Sequence, residues 1–269
     1  MSSPSDLPSL IAAAQDAHAD AALAATAIGL IDLTSLRGDE SEAEIEALCA
    51  RALRHGTAAV CLYPRFVPLA RRCLAGSGVR LATVANFPQG GEDIVATAEE
   101  TAAAVAAGAD EVDVVAPLEA ILERDIGLVG ELVEACRTAA GPDVTLKLIL
   151  ETGRLAEPDL ITAAARAAVM AGIDFLKTST GKVEPGATPE AAALLLAVCQ
   201  EAHGRVGFEA AGGIRTADQA AGYLRLAGDM MGPAWISPHH LRLGASSLLD
   251  DLLRRAGRDP EGAAANGGY

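Results

Sequence analysis

The chain has 269 residues, is 51 % hydrophobic but only 3 % aromatic, and carries a formal net charge of −15. Its length suits one large core in the size range of a single α/β barrel, and its apolar content argues against disorder. The acidic balance, with no basic block, argues against non-specific binding to nucleic acid or anionic lipid, so an anionic substrate would need a locally positive pocket.

Residues 1–27 read as an N-terminal helical extension, with Leu7, Leu10, Ile11, Ala14 and Ala17 at roughly helical spacing in an Ala-rich stretch. Short β-branched runs then alternate with longer helical patterns. The runs predict strands over 28–33, 58–62, 81–86, 111–115, 145–150, 173–176, 206–209 and 241–243. Helices are expected over 42–55, 65–75, 92–107, a short and a longer segment reaching Ala140, a segment opened by Pro158, then 188–203, 216–228 and 246–256. Ser41 with Glu44 three residues on makes a capping box for the first of these. Eight nearly continuous apolar strands, each followed by a helix, predict an α/β fold, a (β/α)8 barrel over 28–256 with 257–269 as a flexible tail. The rival is an open doubly wound sheet. It is disfavoured because no G-x-G-x-x-G follows the first strand and the strand count closes at eight.

The opening residues, Met1 to Asp6, lack the basic and apolar regions of a signal peptide, and no run of about twenty apolar residues occurs. Cys49, Cys61, Cys73, Cys136 and Cys199 are scattered, odd in number and without a C-x-x-C pair. A cytoplasmic protein with small buried thiols is expected.

Barrel active sites sit at the C-terminal ends of the strands. That rule gathers Asp32, Thr34, Asn86, Asp113, Lys147, Lys177 and Glu209 at one mouth. The chain writes its cations as eighteen arginines and only three lysines, Lys147, Lys177 and Lys182. Lys, unlike Arg, can lose its proton when desolvated and attack a carbonyl, which gives a lysine at the end of strand six a chemical reason to be there. Each of these residues alone is compatible with a packing role. Two lysines and several carboxylates in one apolar barrel are not easily explained by packing, because buried charge is costly unless used or paired. The five histidines (His18, His55, His203, His239, His240) form no strand-end ligand cluster, which gives a metal-dependent enzyme little support.

Several segments resemble the deoxyribose-phosphate aldolase family. They are Ile31-Asp-Leu-Thr-Ser-Leu36, Cys61-Leu-Tyr-Pro-Arg-Phe66, Thr83-Val-Ala-Asn-Phe-Pro88, Gly108-Ala-Asp-Glu-Val-Asp-Val-Val115 and Leu146-Lys-Leu-Ile-Leu-Glu-Thr-Gly153. Phe175-Leu-Lys-Thr-Ser-Thr-Gly-Lys-Val183, Val206-Gly-Phe-Glu-Ala-Ala-Gly-Gly213 and Leu243-Gly-Ala-Ser-Ser-Leu248 follow in the family's order. The resemblance implies reversible cleavage of 2-deoxy-D-ribose 5-phosphate to acetaldehyde and D-glyceraldehyde 3-phosphate, without metal or cofactor. Lys177 matches the Schiff-base lysine. Asp113 and Lys147 match the pair that, with a water, moves protons during carbinolamine dehydration and enamine protonation. Asp32, Thr34, Thr180, Gly181, Lys182, Gly212, Gly213, Gly244, Ser246 and Ser247 match the substrate and phosphate end, where small residues admit backbone N–H groups and the two serines open the last helix. Tyr269 matches a terminal tyrosine that can reach the mouth, and a homodimer is the assembly the resemblance suggests. Cys61 falls near the site and is expected to be a core thiol.

One position departs. Where the family usually has a second lysine on strand seven, near the Schiff-base lysine and depressing its pKa, this chain has Glu209. A carboxylate there has the reverse effect. Three readings stay open: Lys147 supplies the missing positive charge and Glu209 an extra proton-transfer group; the aldehyde substrates differ; or the protein binds sugar phosphates without turnover.

Overall fold

The computed structural model describes residues 7–260. Two helices, α1 (Leu7–Gln15) and α2 (Ala21–Ile28), precede the first strand. The alternation then runs β1 (Ile31–Ser35), α3 (Glu42–His55), β2 (Ala59–Leu62), α4 (Val67–Cys73), β3 (Arg80–Ala85), α5 (Ile94–Ala106) and β4 (Glu111–Val115). It continues through α6 (Leu118–Leu122), α7 (Gly127–Ala140), β5 (Thr145–Ile149), α8 (Thr152–Leu155), α9 (Pro158–Met170) and β6 (Phe175–Lys177). The last units are α10 (Pro189–Glu201), β7 (Gly207–Ala211), α11 (Ala217–Met231), β8 (Leu241–Ala245) and α12 (Leu248–Arg255). All eight strands pair in parallel and in chain order, and β1 pairs with β8 to close the ring. Closure rules out the doubly wound alternative.

The expected elements are present, with shifted ends. The first strand starts at Ile31 and not at 28, because Asp20 caps the Leu23 N–H and the Ala-rich α2 runs on through Ile28. Strand six starts at Phe175, since Ile173 still donates to the Ala168 carbonyl of the preceding helix end. Strands seven and eight run two residues further than expected, held by the β7–β8 ladder through Ala211 and Gly244. The Ser41–Glu44 capping box is formed, with the Ser41 hydroxyl accepting from Glu44 N–H and the Glu44 carboxylate accepting from Ser41 N–H. The short α8 and a 3-10 turn at Pro233–Trp235 were not expected.

Two shells of side chains follow from strand alternation. Outward residues such as Val112, Val114, Leu146, Leu148, Leu176, Phe208 and Leu243 are buried against the helices and supply most of the core. The inward set is charged on neighbouring strands. The register sets Asp113 beside Lys147, Lys177 beside Glu209, and Glu209 beside Arg242. Phe175 lies among the inward set, its ring centroid 5.7 Å from both Lys147 Nζ and the Arg242 guanidinium carbon. Gly207 leaves room for that ring, because a Cβ there would overlap it.

Candidate active site

Seven charged residues fill the barrel interior, from the strand starts at Glu111 and Arg242 up to Lys177. Lys147 Nζ reaches Asp32, Glu209 Oε2 at 2.7 Å, Glu111 Oε2 at 3.0 Å and Asp113 Oδ1 at 3.6 Å. Lys177 Nζ lies 2.5 Å from Asp113 Oδ2 and 2.7 Å from Glu209 Oε1. Arg242 binds Asp32 Oδ1 at 2.6 Å and Glu111 Oε1 at 2.9 Å. Four carboxylates (Asp32, Glu111, Asp113, Glu209) thus face three enclosed cations (Lys147, Lys177, Arg242), all at most 4 % exposed. Fully ionised, the enclosed set carries one negative charge more than positive, and the partly exposed Arg80 meets it from the edge, its Nε 3.6 Å from Glu111 Oε1.

The enclosed groups respond differently to burial and to their neighbours. Burial raises the Glu209 carboxyl, against the opposing pull of Lys147 and Lys177, so it takes up a proton more readily than an ordinary glutamate. Burial also works against ionised Asp32, but Arg242 and Lys147 outweigh it and hold that carboxyl below the usual range. For Lys177, burial disfavours the ammonium, yet Asp113 and Glu209 prevail and raise its pKa above that of an ordinary lysine. Lys147 is raised in the same way, burial being outweighed by the four carboxylates around it. Cys61 Sγ lies 3.9 Å from Asp113 Oδ2, and burial together with that carboxylate keeps the sulfur a thiol.

Above the network opens a cavity of about 540 Å3 at the C-terminal mouth of the barrel. Lys177 lines it, whereas Lys147, Asp113 and Glu209 are fully enclosed beneath. Thr34, Thr180, Gly181, Lys182, Gly212, Gly213, Gly244, Ser246 and Ser247 also line it. Gly181, Gly212 and Gly213 have positive φ (74°, 88° and 80°), a conformation that costs glycine nothing. Gly212 packs backbone to backbone on Gly181 and Gly186, and a Cβ on Gly186 would lie 2.5 Å from the Gly212 carbonyl oxygen. Ser247 precedes α12, and its hydroxyl makes no cap bond to the helix. Lys182 extends its ammonium to the Leu36 carbonyl.

Asp32, by contrast, sits in the buried network and not on the cavity wall. Asn86 does not line the cavity; its amide donates to the Gly91 and Val115 carbonyls at 2.8 and 3.0 Å and braces the β3 loop. Tyr269 lies outside the described residues. Sequence reasoning missed four residues. Glu111 and Arg242 complete the network from the starts of their strands, and the signal was available: each lies two residues before an inward-facing neighbour, Asp113 and Gly244. Arg215 lines the cavity and has no side-chain ion pair among the described residues. Glu151, just past β5, is 1 % exposed, and burial raises its carboxyl despite hydrogen bonds from Thr180.

Solved structures share this architecture. A protein of Coccidioides immitis assigned as a deoxyribose-phosphate aldolase is 29 % identical, with a TM-score of 0.77 over 93 % of this chain and 97 % of that one. The apo form of one so assigned from Toxoplasma gondii gives 25 % and 0.80 over 88 % and 97 %. The deoxyribose phosphate aldolase of Aeropyrum pernix, described as a tetramer, gives 25 % and 0.69 over 93 % and 97 %. Residues 26–253 match the family model of the DeoC/LacD family aldolases, a span that takes in all eight strands and every member of the buried network, and the chain belongs to that family.

Proposed function

We propose that this protein is a Schiff-base aldolase that reversibly cleaves 2-deoxy-D-ribose 5-phosphate to acetaldehyde and D-glyceraldehyde 3-phosphate, with Lys177 as the nucleophile. The observation that carries this is the position of Lys177: of the two lysines in the network, it alone also borders the cavity. Its amine attacks the substrate carbonyl, loss of water gives an iminium, and the iminium takes up the electron pair of the breaking C–C bond as an enamine. Asp113, in reach of both lysines, moves the protons of carbinolamine dehydration and enamine protonation, and Lys147 holds it in place.

The phosphate end is formed by the Gly181, Gly212 and Gly213 turns, Lys182, Ser246 and Ser247, with Arg215 added to the set the sequence suggested. Backbone N–H groups, hydroxyls and two cations there supply the local positive field that an anionic substrate needs on a chain of charge −15. Asp32, with Arg242, fixes Lys147 from below, and Thr34, whose hydroxyl donates to the Asp32 carbonyl at 2.8 Å, meets the sugar end. Assembly as a homodimer and action in the cytoplasm belong to the same proposal.

One observation favours a second reading, binding without turnover: Glu209 and Asp113 hold Lys177 as an ammonium. Borohydride trapping with acetaldehyde separates the two. A two-carbon adduct mapped to Lys177 and lost in Lys177→Ala is expected. No adduct between neutral and alkaline pH would leave a barrel that only binds.

A further inference from the structure

Glu151 stands just past β5 with φ 45° and ψ 56°, a left-handed conformation that disfavours any residue with a side chain. The β5–β6 pairing continues on either side of it, Leu150 N–H to the Lys177 carbonyl at 3.0 Å and Thr152 N–H to the Thr178 carbonyl at 2.9 Å. The unusual backbone turns the buried carboxylate onto the next loop. There it accepts from Thr180 N–H, 3.3 Å from each oxygen, and from the Thr180 hydroxyl. The same hydroxyl oxygen accepts from Lys182 N–H at 3.0 Å. The bonds run in one direction, from the Lys182 amide through Thr180 to Glu151, and end on a charged acceptor, which strengthens each bond in the series. Two close packings hold the far side of the loop: Gly153 against the Pro185 carbonyl, and Gly186 against Gly212, with Ala187 N–H on the Gly212 carbonyl at 3.0 Å.

We infer that Glu151 is a positioning residue for the phosphate end: it sets the backbone of residues 180–182, and so the Gly181 and Lys182 amides, without touching substrate. The inference rests on the phosphate-binding role proposed above for that loop. It separates two halves of the site that share β6, since Lys177 is fixed by Asp113 and Glu209 and not by Glu151.

The test compares Glu151→Ala, Glu151→Gly and Glu151→Gln by inorganic phosphate titration, KM for 2-deoxyribose 5-phosphate, and the rate of acetaldehyde trapping at Lys177. Acetaldehyde carries no phosphate. The Gly variant relieves the backbone strain while removing the carboxylate, so it stays folded if the Ala variant does not. The Ala and Gly variants should lose about tenfold or more in phosphate affinity and gain as much in KM, the Gln variant should stay within about threefold, and trapping should stay within about twofold throughout. Unchanged phosphate affinity in the Gly variant, loss of trapping in parallel with phosphate affinity, or no phosphate binding by the parent chain would each overturn the inference. If the parent chain forms no adduct, the Schiff-base reading fails, and the phosphate titration still decides the role of Glu151.

Discussion

At position 209 one carboxylate bridges the two buried lysines, with 2.7 Å to each nitrogen. Lys177 must shed a proton to attack, and Glu209 acts against that. Substituting Glu209→Lys exchanges an attractive neighbour for a repulsive one and turns four carboxylates against three cations into three against four. The pKa of Lys177 should fall, and each unit is worth tenfold in neutral amine at neutral pH, about 1.4 kcal/mol. Retro-aldol turnover at pH 7 is expected to rise by about tenfold or more, with the pH–rate profile displaced to lower pH. Glu209→Gln, which removes the charge without adding one, should give a smaller displacement in the same direction. A profile that both variants leave in place would show that residue 209 does not tune the lysine.

At the level of the element, β8 is shaped around its neighbour. A methyl group at Gly244 would lie 2.6 Å from Glu209 Oε1 and 2.9 Å from the Ala211 Cβ, so Gly244→Ala must push the Glu209 carboxylate from its place between the lysines. Loss of about 1–3 kcal/mol of stability is expected by denaturant titration, together with a changed pH–rate profile. What the sequence made legible follows the same division between local and cross-strand causes. Helix α3 could be read because its capping box is complete within four residues. The start of β1 could not, because Ile28 is β-branched yet belongs to a helix nucleated at Asp20. The ends of β7 and β8 depend on each other's register, and no local signal encodes that. Lys177 at the end of its strand, and Asp113 and Lys147 within theirs, were readable as charges in an otherwise apolar pattern. Glu111 and Arg242 sit at strand starts, where a rule that looks to the C-terminal mouth does not search.

For the molecule as a whole, the network ties β1, β4, β5, β6, β7 and β8 together by charge. Its acid stability has a definite sign. The Asp32 carboxyl is lowered on folding, so its contribution is present above its unfolded value of 3.8 and is lost as pH falls through that region toward the folded value. The Glu209 carboxyl is raised and works oppositely, binding its proton more readily in the folded protein. Thermal unfolding should therefore show a Tm that falls below about pH 4, and Glu209→Gln, which imitates the protonated form, should raise Tm at neutral pH by a few degrees. A Tm in the variant equal to that of the parent chain at pH 7 would mean the excess charge is already compensated.

The scarcity of lysine has a practical side. Lys147 and Lys177 are enclosed, and Lys182 is exposed at the rim of the cavity, so arginine supplies nearly all the remaining basic surface. Acylating reagents and dialdehyde cross-linkers, which in most proteins scatter over dozens of surface amines, would here concentrate on one side chain at the substrate entrance. Attachment through that amine would block the very opening it was meant to leave free, and because the cysteines are buried or half-buried, a carboxylate-directed coupling is the better choice for this barrel.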